Sequence, residues 1–366
     1  MAGTNKIRFG FAAAPVGVKG TGDAELYKEA VKTCELGHSL GYEAAWFLEH
    51  HFTDYYPCPS PTVLMAHVAA HCPALNLGTM VLVAPWHHPL RLAGELAMLS
   101  NLTQGELHIG LGRGTAPLEY DAFDLDMEEA RTRFREVFEI VELALKGDRF
   151  TYEGKFVSVP REIQLRPRVD RSRISFYGAI GSPQSAEIMA GLGLPPLSIA
   201  NFPLRLQRDI MNKWTERAAE QGVKTETRKP LSISCFVDET DEKARSLAKK
   251  YLPEFYQLQA EHYEVDRDAW RGISCYEQFS KMFANLKKLS QPESMDAWLD
   301  LQFIGSPETI IERLEEYSDI GFNTFIANTS TPRVPLEVQR EHLRRFASEI
   351  GVRFSDRFNA ELGVSV

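Results

Sequence analysis

Paired cysteines, basic runs and long apolar stretches are all missing from this chain. Its five cysteines, Cys34, Cys58, Cys72, Cys235 and Cys275, are odd in number and scattered without CxxC spacing. That predicts buried, reduced thiols and argues against a zinc site built on thiolates. No Lys/Arg run occurs and the formal net charge is −9, so the electrostatic footprint of a nucleic-acid binder is missing and anionic membrane surfaces are disfavoured. No apolar run approaches the ~20 residues of a membrane span. Met1–Ile7 is polar and leads straight into a strand, so the expected location is the cytoplasm. Repeats of fixed period and low-complexity tracts are also absent, which removes solenoids and linkers from consideration.

What is present suits one large α/β domain: 366 residues, 44% hydrophobic and 25% charged. Short apolar runs predict strands over 7–14, 44–48, 75–84, 106–111, 174–180, 197–200, 231–237 and 324–328. Amphipathic stretches between them predict helices over 23–40, 62–71, 89–102, 127–145, 183–191, 204–221, 241–258, 307–320 and 336–350. The first third alone fits an open doubly wound sheet equally well. About eight β/α units in this length favour a closed (β/α)8 TIM barrel with insertions. Two stretches break the repeat. Residues 150–169 carry a Gly-Lys turn and prolines and predict a small hairpin. Residues 256–302 mix aromatic and charged residues and predict either an active-site lid, mobile without ligand, or a surface packed on a partner subunit.

In such a barrel the chemistry sits at the C-terminal ends of the strands. Strand two, Ala44–Leu48, empties into Glu49-His50-His51. Successive strand residues face opposite ways, so only one of the two imidazoles can face the axis, and spacing does not say which. Strand four ends in Gly110-Leu-Gly112-Arg113-Gly114. This GxGxG lacks the spacing of a dinucleotide fingerprint and reads better as a close backbone approach with a guanidinium aimed at an anion. Strand five turns through Gly181-Ser182-Pro183-Gln-Ser185 into a helix, which is either an ordinary N-cap or a phosphate cradle. Gly305-Ser306-Pro307-Glu308 is a near copy that a simple cap explains.

In this order, Leu48-Glu-His-His-Phe-Thr53, Leu75-Asn-Leu-Gly-Thr79, Pro85-Trp-His-His-Pro89, Gly105 to Gly114, Gly193-Leu-Pro195 and Ile304-Gly-Ser-Pro-Glu308 resemble the bacterial-luciferase-like flavin monooxygenases over nearly the whole chain. The resemblance implies a luciferase-like barrel that binds reduced FMN, commonly supplied by a separate flavin reductase. It also implies reaction with dioxygen through a C4a-peroxyflavin to oxygenate a small apolar molecule. Carried over residue by residue, it puts the catalytic histidine at His50 and the phosphate-binding arginine at Arg113. The phosphate cradle falls on Gly181, Ser182 and Ser185, and a non-prolyl cis peptide beside the flavin ring falls on Met80–Val81. Gly112 stands where the luciferase α chain has a reactive Cys, and Gly181 where it has Glu, which puts aldehyde specificity and light emission in doubt. Phe52, Tyr55, Tyr56 and Trp86 are candidate pocket walls. A homodimer is expected.

Three rivals remain at this level. They are a deazaflavin (F420) oxidoreductase of the same superfamily, a non-catalytic flavin-binding partner chain, and a metal-dependent barrel hydrolase, for which adjacent His50-His51 is poor ligand spacing.

Overall fold

The computed structural model describes residues 6–273, 276, 282, 283, 285 and 287–358. Its strands in chain order are β1 (Arg8–Ala12), β2 (Ala44–Phe47), β3 (Asn76–Val83), β4 (Leu107–Gly112), β5 (Phe150–Glu153), β6 (Ser158–Ile163), β7 (Ile174–Ala179), β8 (Pro196–Ile199), β9 (Pro230–Val237), β10 (Phe303–Gly305) and β11 (Thr324–Asn328). Eight of them pair in parallel in the order β1-β2-β3-β4-β7-β8-β9-β11, and β11 returns to β1, closing the barrel. The predicted TIM barrel is therefore the fold.

Period-two alternation divides each strand between two cores. In β2, Ala44 and Trp46 join Ala12, Met80, Tyr177, Leu197 and Ile326 inside the barrel, while Ala45 and Phe47 pack outward under the helices. Trp46 stacks on the buried His108, with ring centroids 5.7 Å apart, and plugs the interior. Burial, aided by the charges of Arg228 and Arg8, pushes the His108 imidazole down to about 3, so this histidine is a neutral core residue. A third apolar cluster, with Tyr55, Tyr56, Tyr120, Phe255, Tyr256, Tyr263, Trp270 and Trp298, covers the C-terminal end.

Helices that matter below are α1 (Asp23–Ser39), α2 (Pro61–His71), α3 (Pro89–Leu102), α4 (Pro117–Ala122), α5 (Ala130–Lys146), α6 (Pro183–Gly191), α7 (Leu204–Glu220) and α8 (Asp241–His262). Predicted boundaries hold to within a few residues, and the hairpin in 150–169 is the antiparallel β5–β6 pair. Four features depart from the sequence reading. First, α8 runs to His262 because Gln-Leu-Gln-Ala-Glu are ordinary helix formers that continue its last turns. Second, α4 follows β4 directly, started by Pro117 at its first position. Third, Phe303–Gly305 adds a short strand on Cys235–Val237, beyond the part of β9 that β11 covers. Fourth, the helix begun at Leu336 is α-helical only to Arg345 and ends in a π turn over Phe346–Ile350. Cys275 and Phe279 lie outside the described residues, as does part of the 256–302 insertion. No described helix is long and apolar enough to cross a membrane.

Candidate active site

A cavity of about 300 Å³ opens among the strand ends, lined by the segment after β2, by groups of β3, β4, β7, β8, β9 and β11 and segments that follow them, by α5, α6 and α8, and by Gln302. His50, Arg113, Gly181, Ser185, Met80 and Val81 all line it, and Ser182 does not. The barrel thus gathers sequence positions more than a hundred residues apart. In the sheet β3 lies between β2 and β4, so Met80 and Val81 stand between the His50 and Arg113 strand ends.

The histidine pair splits as the alternation rule requires. His50 lines the cavity, and His51 turns away to place its Nε2 3.1 Å from Glu49 Oε1. Glu49 is almost fully buried and completely engaged: it accepts the Val83 N–H at 2.7 Å and also meets His87 Nε2 at 3.0 Å. Burial works to raise this carboxyl, but hydrogen bonds from His51, His87 and the Val83 backbone outweigh it and hold it below its ordinary range. His87 responds in the opposite sense. Burial works to lower it, and the Glu49 carboxylate raises it.

A second buried carboxylate, Glu119 in the first turn of α4, was missed by the sequence reading. It accepts the His51 backbone N–H at 2.8 Å. His50 Nδ1 lies 3.5 Å from its Oε1, and so does Nε2 of His262, the last residue of α8. Nδ1 of His262 contacts Thr53 Oγ1 at 2.7 Å. Burial, with the nearby His50 and His51, pushes His262 down to about 2. Rings of Tyr55, Tyr56 and Tyr263 surround His50, with centroids 4.8, 6.0 and 6.2 Å away.

Of the proposed apolar walls, Tyr55 and Tyr56 line the cavity. Trp86 packs instead against Tyr120 and Phe123, and Phe52 is 61% exposed on a left-handed backbone, φ 67°. Phe255, Tyr256, Gln259 and Tyr263 complete that wall from α8 and the residue after it.

The other wall is cationic. Arg113 is joined there by Arg131 and Arg135, four residues apart on one face of α5. That i,i+4 spacing was the available signal for them. The Arg113 guanidinium stacks 4.2 Å from the Tyr276 ring centroid, and Tyr276 Oη donates to Gly114 O at 2.9 Å. Both flanking glycines are forced by space. A Cβ on Gly112 would stand 2.5 Å from Val81 Cγ2, and Gly114 is left-handed, φ 77°, against Trp86. Ser182 and Ser185 form a reciprocal capping box at the start of α6: Ser182 Oγ accepts the Ser185 N–H at 2.9 Å, and Ser185 Oγ accepts the N–H groups of Gly181 and Ser182 at 3.0 Å. The N-cap reading of this turn is realised. The Met80–Val81 peptide is cis.

Residues 7–324 match the family described as luciferase-like monooxygenase. The oxygenase component of flavin-dependent trigonelline monooxygenase from Acinetobacter baylyi is 25% identical over 91% of both chains. Among solved structures, the monooxygenase RslO1 from Streptomyces bottropensis superposes with a TM-score of 0.80 at 23% identity, over 95% of this chain and 100% of that one. The oxygenating constituent of 3,6-diketocamphane monooxygenase from Pseudomonas putida, a type II Baeyer–Villiger enzyme in complex with FMN, has a TM-score of 0.73 at 18% identity, over 96% and 99%. This chain belongs to the luciferase-like monooxygenase family and is an enzyme of that family.

Proposed function

We propose that this chain is the oxygenase of a two-component system, taking reduced FMN from a separate reductase and oxygenating a small, largely apolar organic substrate. Bound reduced flavin would supply the electrons that activate dioxygen. What carries the reading is the polarity of the cavity: guanidinium groups of Arg113, Arg131 and Arg135 on one wall, and the His50 imidazole among aromatic rings on another. FMN fits that donor set. Its phosphate dianion suits Arg113 with the α6 N-terminus, where Gly181, Ser182 and Ser185 could exchange their mutual capping bonds for phosphate oxygens. The flat ring suits the surface of β3 at Met80 and Val81, which line the cavity beside Gly112.

His50 then acts as the base, holding or moving a proton at the face of the cavity it lines. Tyr55, Tyr56, Phe255 and Tyr256 exclude water from it, which an oxygen-activating site needs. The buried, fully bonded Glu49 fixes His51 and His87 and leaves His50 free of that network.

The test is anaerobic titration with reduced FMN and with reduced F420, followed by oxygen uptake across aldehydes, ketones and terpenes. Tight FMN binding with substrate-dependent oxygen consumption is expected. Binding of F420 alone, with hydride transfer and no oxygen uptake, would replace this reading with the deazaflavin one.

A further inference from the structure

We propose that His50, Glu119 and His262 form a binding site for a single divalent cation of borderline softness, Zn²⁺ being the type. The inference uses no part of the flavin reading and is tested without flavin.

Three separate segments bring the ligands together: the turn after β2, the first turn of α4 and the last residue of α8. Glu119 and His262 are 1% and 0% exposed. His50 Nδ1 and His262 Nε2 are buried and lack any hydrogen-bond partner. Both nevertheless aim at Glu119 Oε1, each from 3.5 Å, and the three ligand atoms lie within 4.8 Å of one another. That separation is too long for an N–H···O bond, which needs about 2.7–3.2 Å. The oxygen already accepts the His51 N–H at 2.8 Å.

The geometry has another meaning. Ligands bonded to one ion at about 2.0–2.2 Å stand about 3.4 Å apart at the corners of a tetrahedron. Two edges of the trio therefore already have the right length, and the third closes as an ion draws the imidazoles in. His262 also has the outer contact that metal-bound histidines keep, its Nδ1 on Thr53 Oγ1 at 2.7 Å. Two imidazoles and one carboxylate favour Zn²⁺, Co²⁺ or Ni²⁺ over Mg²⁺ and Ca²⁺, which take oxygen ligands. Three protein ligands leave a fourth position for water or a small anion. Since His50 and Glu119 line the cavity, an ion here would hold the His50 ring fixed at the cavity surface.

The experiment strips the full chain with chelator, dialyses it against Zn²⁺ or Co²⁺, and measures retained metal and the Co²⁺ visible spectrum. An exposed pair, His67 and His71 on α2, has ring centroids 4.9 Å apart and Glu35 beside it, and can also collect metal. The control is therefore His71→Ala, which should keep the buried ion. Thr53→Val, which leaves all three ligands in place, should weaken binding by about 10–100-fold, and His262→Asn or Glu119→Gln by more. Circular dichroism of the metal-free variants checks folding, and Thr53→Val decides if a ligand variant does not fold. No retained ion, or an ion lost in His71→Ala and kept in His262→Asn and Thr53→Val, overturns the site and leaves the flavin reading untouched.

Discussion

Two buried glutamates stand on the floor of the same cavity and differ in what surrounds them. Glu49 is saturated: a backbone N–H at 2.7 Å and two imidazole nitrogens at 3.0–3.1 Å occupy its oxygens. Glu119 has one short bond, from the His51 N–H, and two imidazoles held off at 3.5 Å. A buried charge persists when its hydrogen bonds are complete, so the first arrangement is structural, fixing β3 against the turn after β2. Incomplete satisfaction marks the second as the place where a proton, an ion or a substrate can enter. His50, beside Glu119 and outside the Glu49 network, is on the reactive side of that division.

The largest effect expected from breaking this contrast is at His50. In His50→Ala, folding and FMN affinity should stay near the parent values while oxygenation falls by about 10²–10⁴-fold, the usual contribution of general acid–base catalysis. Product formed per reduced flavin consumed is the measurement. Unchanged coupling would remove His50 from the mechanism, and the same loss in His51→Ala instead would move the role one residue along.

Stability compares the two carboxylates directly. Glu49→Ala strands the Val83 N–H and two imidazoles in the interior and should cost about 3–5 kcal/mol in urea unfolding, as removal of one partner from a buried charged pair does. Glu119→Ala gives up one short bond to a charged group and should cost about 1.5–3 kcal/mol. Equal costs would mean that Glu119 is as structural as Glu49.

On the opposite wall, Arg113→Ala should weaken reduced FMN binding by about 1.5–3 kcal/mol, at least about tenfold. Parent-like affinity in fluorescence titration would shift the phosphate to Arg131 and Arg135.

Much of the scaffold was legible because barrel strands, covered on both faces, are written as short apolar runs, and because Pro89, Pro183 and Pro307 each open a helix. His50, Arg113 and Ser185 were legible for a related reason, since strand ends are where a barrel puts its cavity. The partners of those residues were not. Glu119 and His262 meet His50 only after α4 and α8 fold over the barrel mouth, 69 and 212 positions along the chain, and periodicity carries no information about such convergence. α8 ran past its predicted end for a different, local reason: residues 257–261 are ordinary helix formers that carry its last turns on to His262. Aromatic identity was also ambiguous, because Tyr55 and Trp86 are equally apolar in sequence, and only packing sends one to the cavity and the other to Phe123.

The smallest expected effect is a control placed away from the cavity. Glu29 on α1 pairs with Arg340 at 2.6 Å and with Lys32, so its oxygens face fixed cations and no cavity. Burial would raise its carboxyl, but hydrogen bonds from Lys32 and Arg340 reverse this and bring it down to about 2. A carboxyl lowered in the folded state stabilises at every pH above its unfolded value, about 4.3, and that contribution disappears as pH falls toward the folded value. Lys32 is well exposed, and Gln in place of Glu29 still offers an oxygen to the part-buried Arg340, so the change should be about 1 kcal/mol or less. Thermal unfolding between pH 5 and pH 3 should therefore show a slightly shallower loss of stability in Glu29→Gln than in the parent, while FMN binding in the two proteins stays equal. A steeper acid loss in Glu29→Gln would mean that the carboxylate is strained by burial, and saturation by neighbours would no longer separate structural acids from reactive ones in this protein.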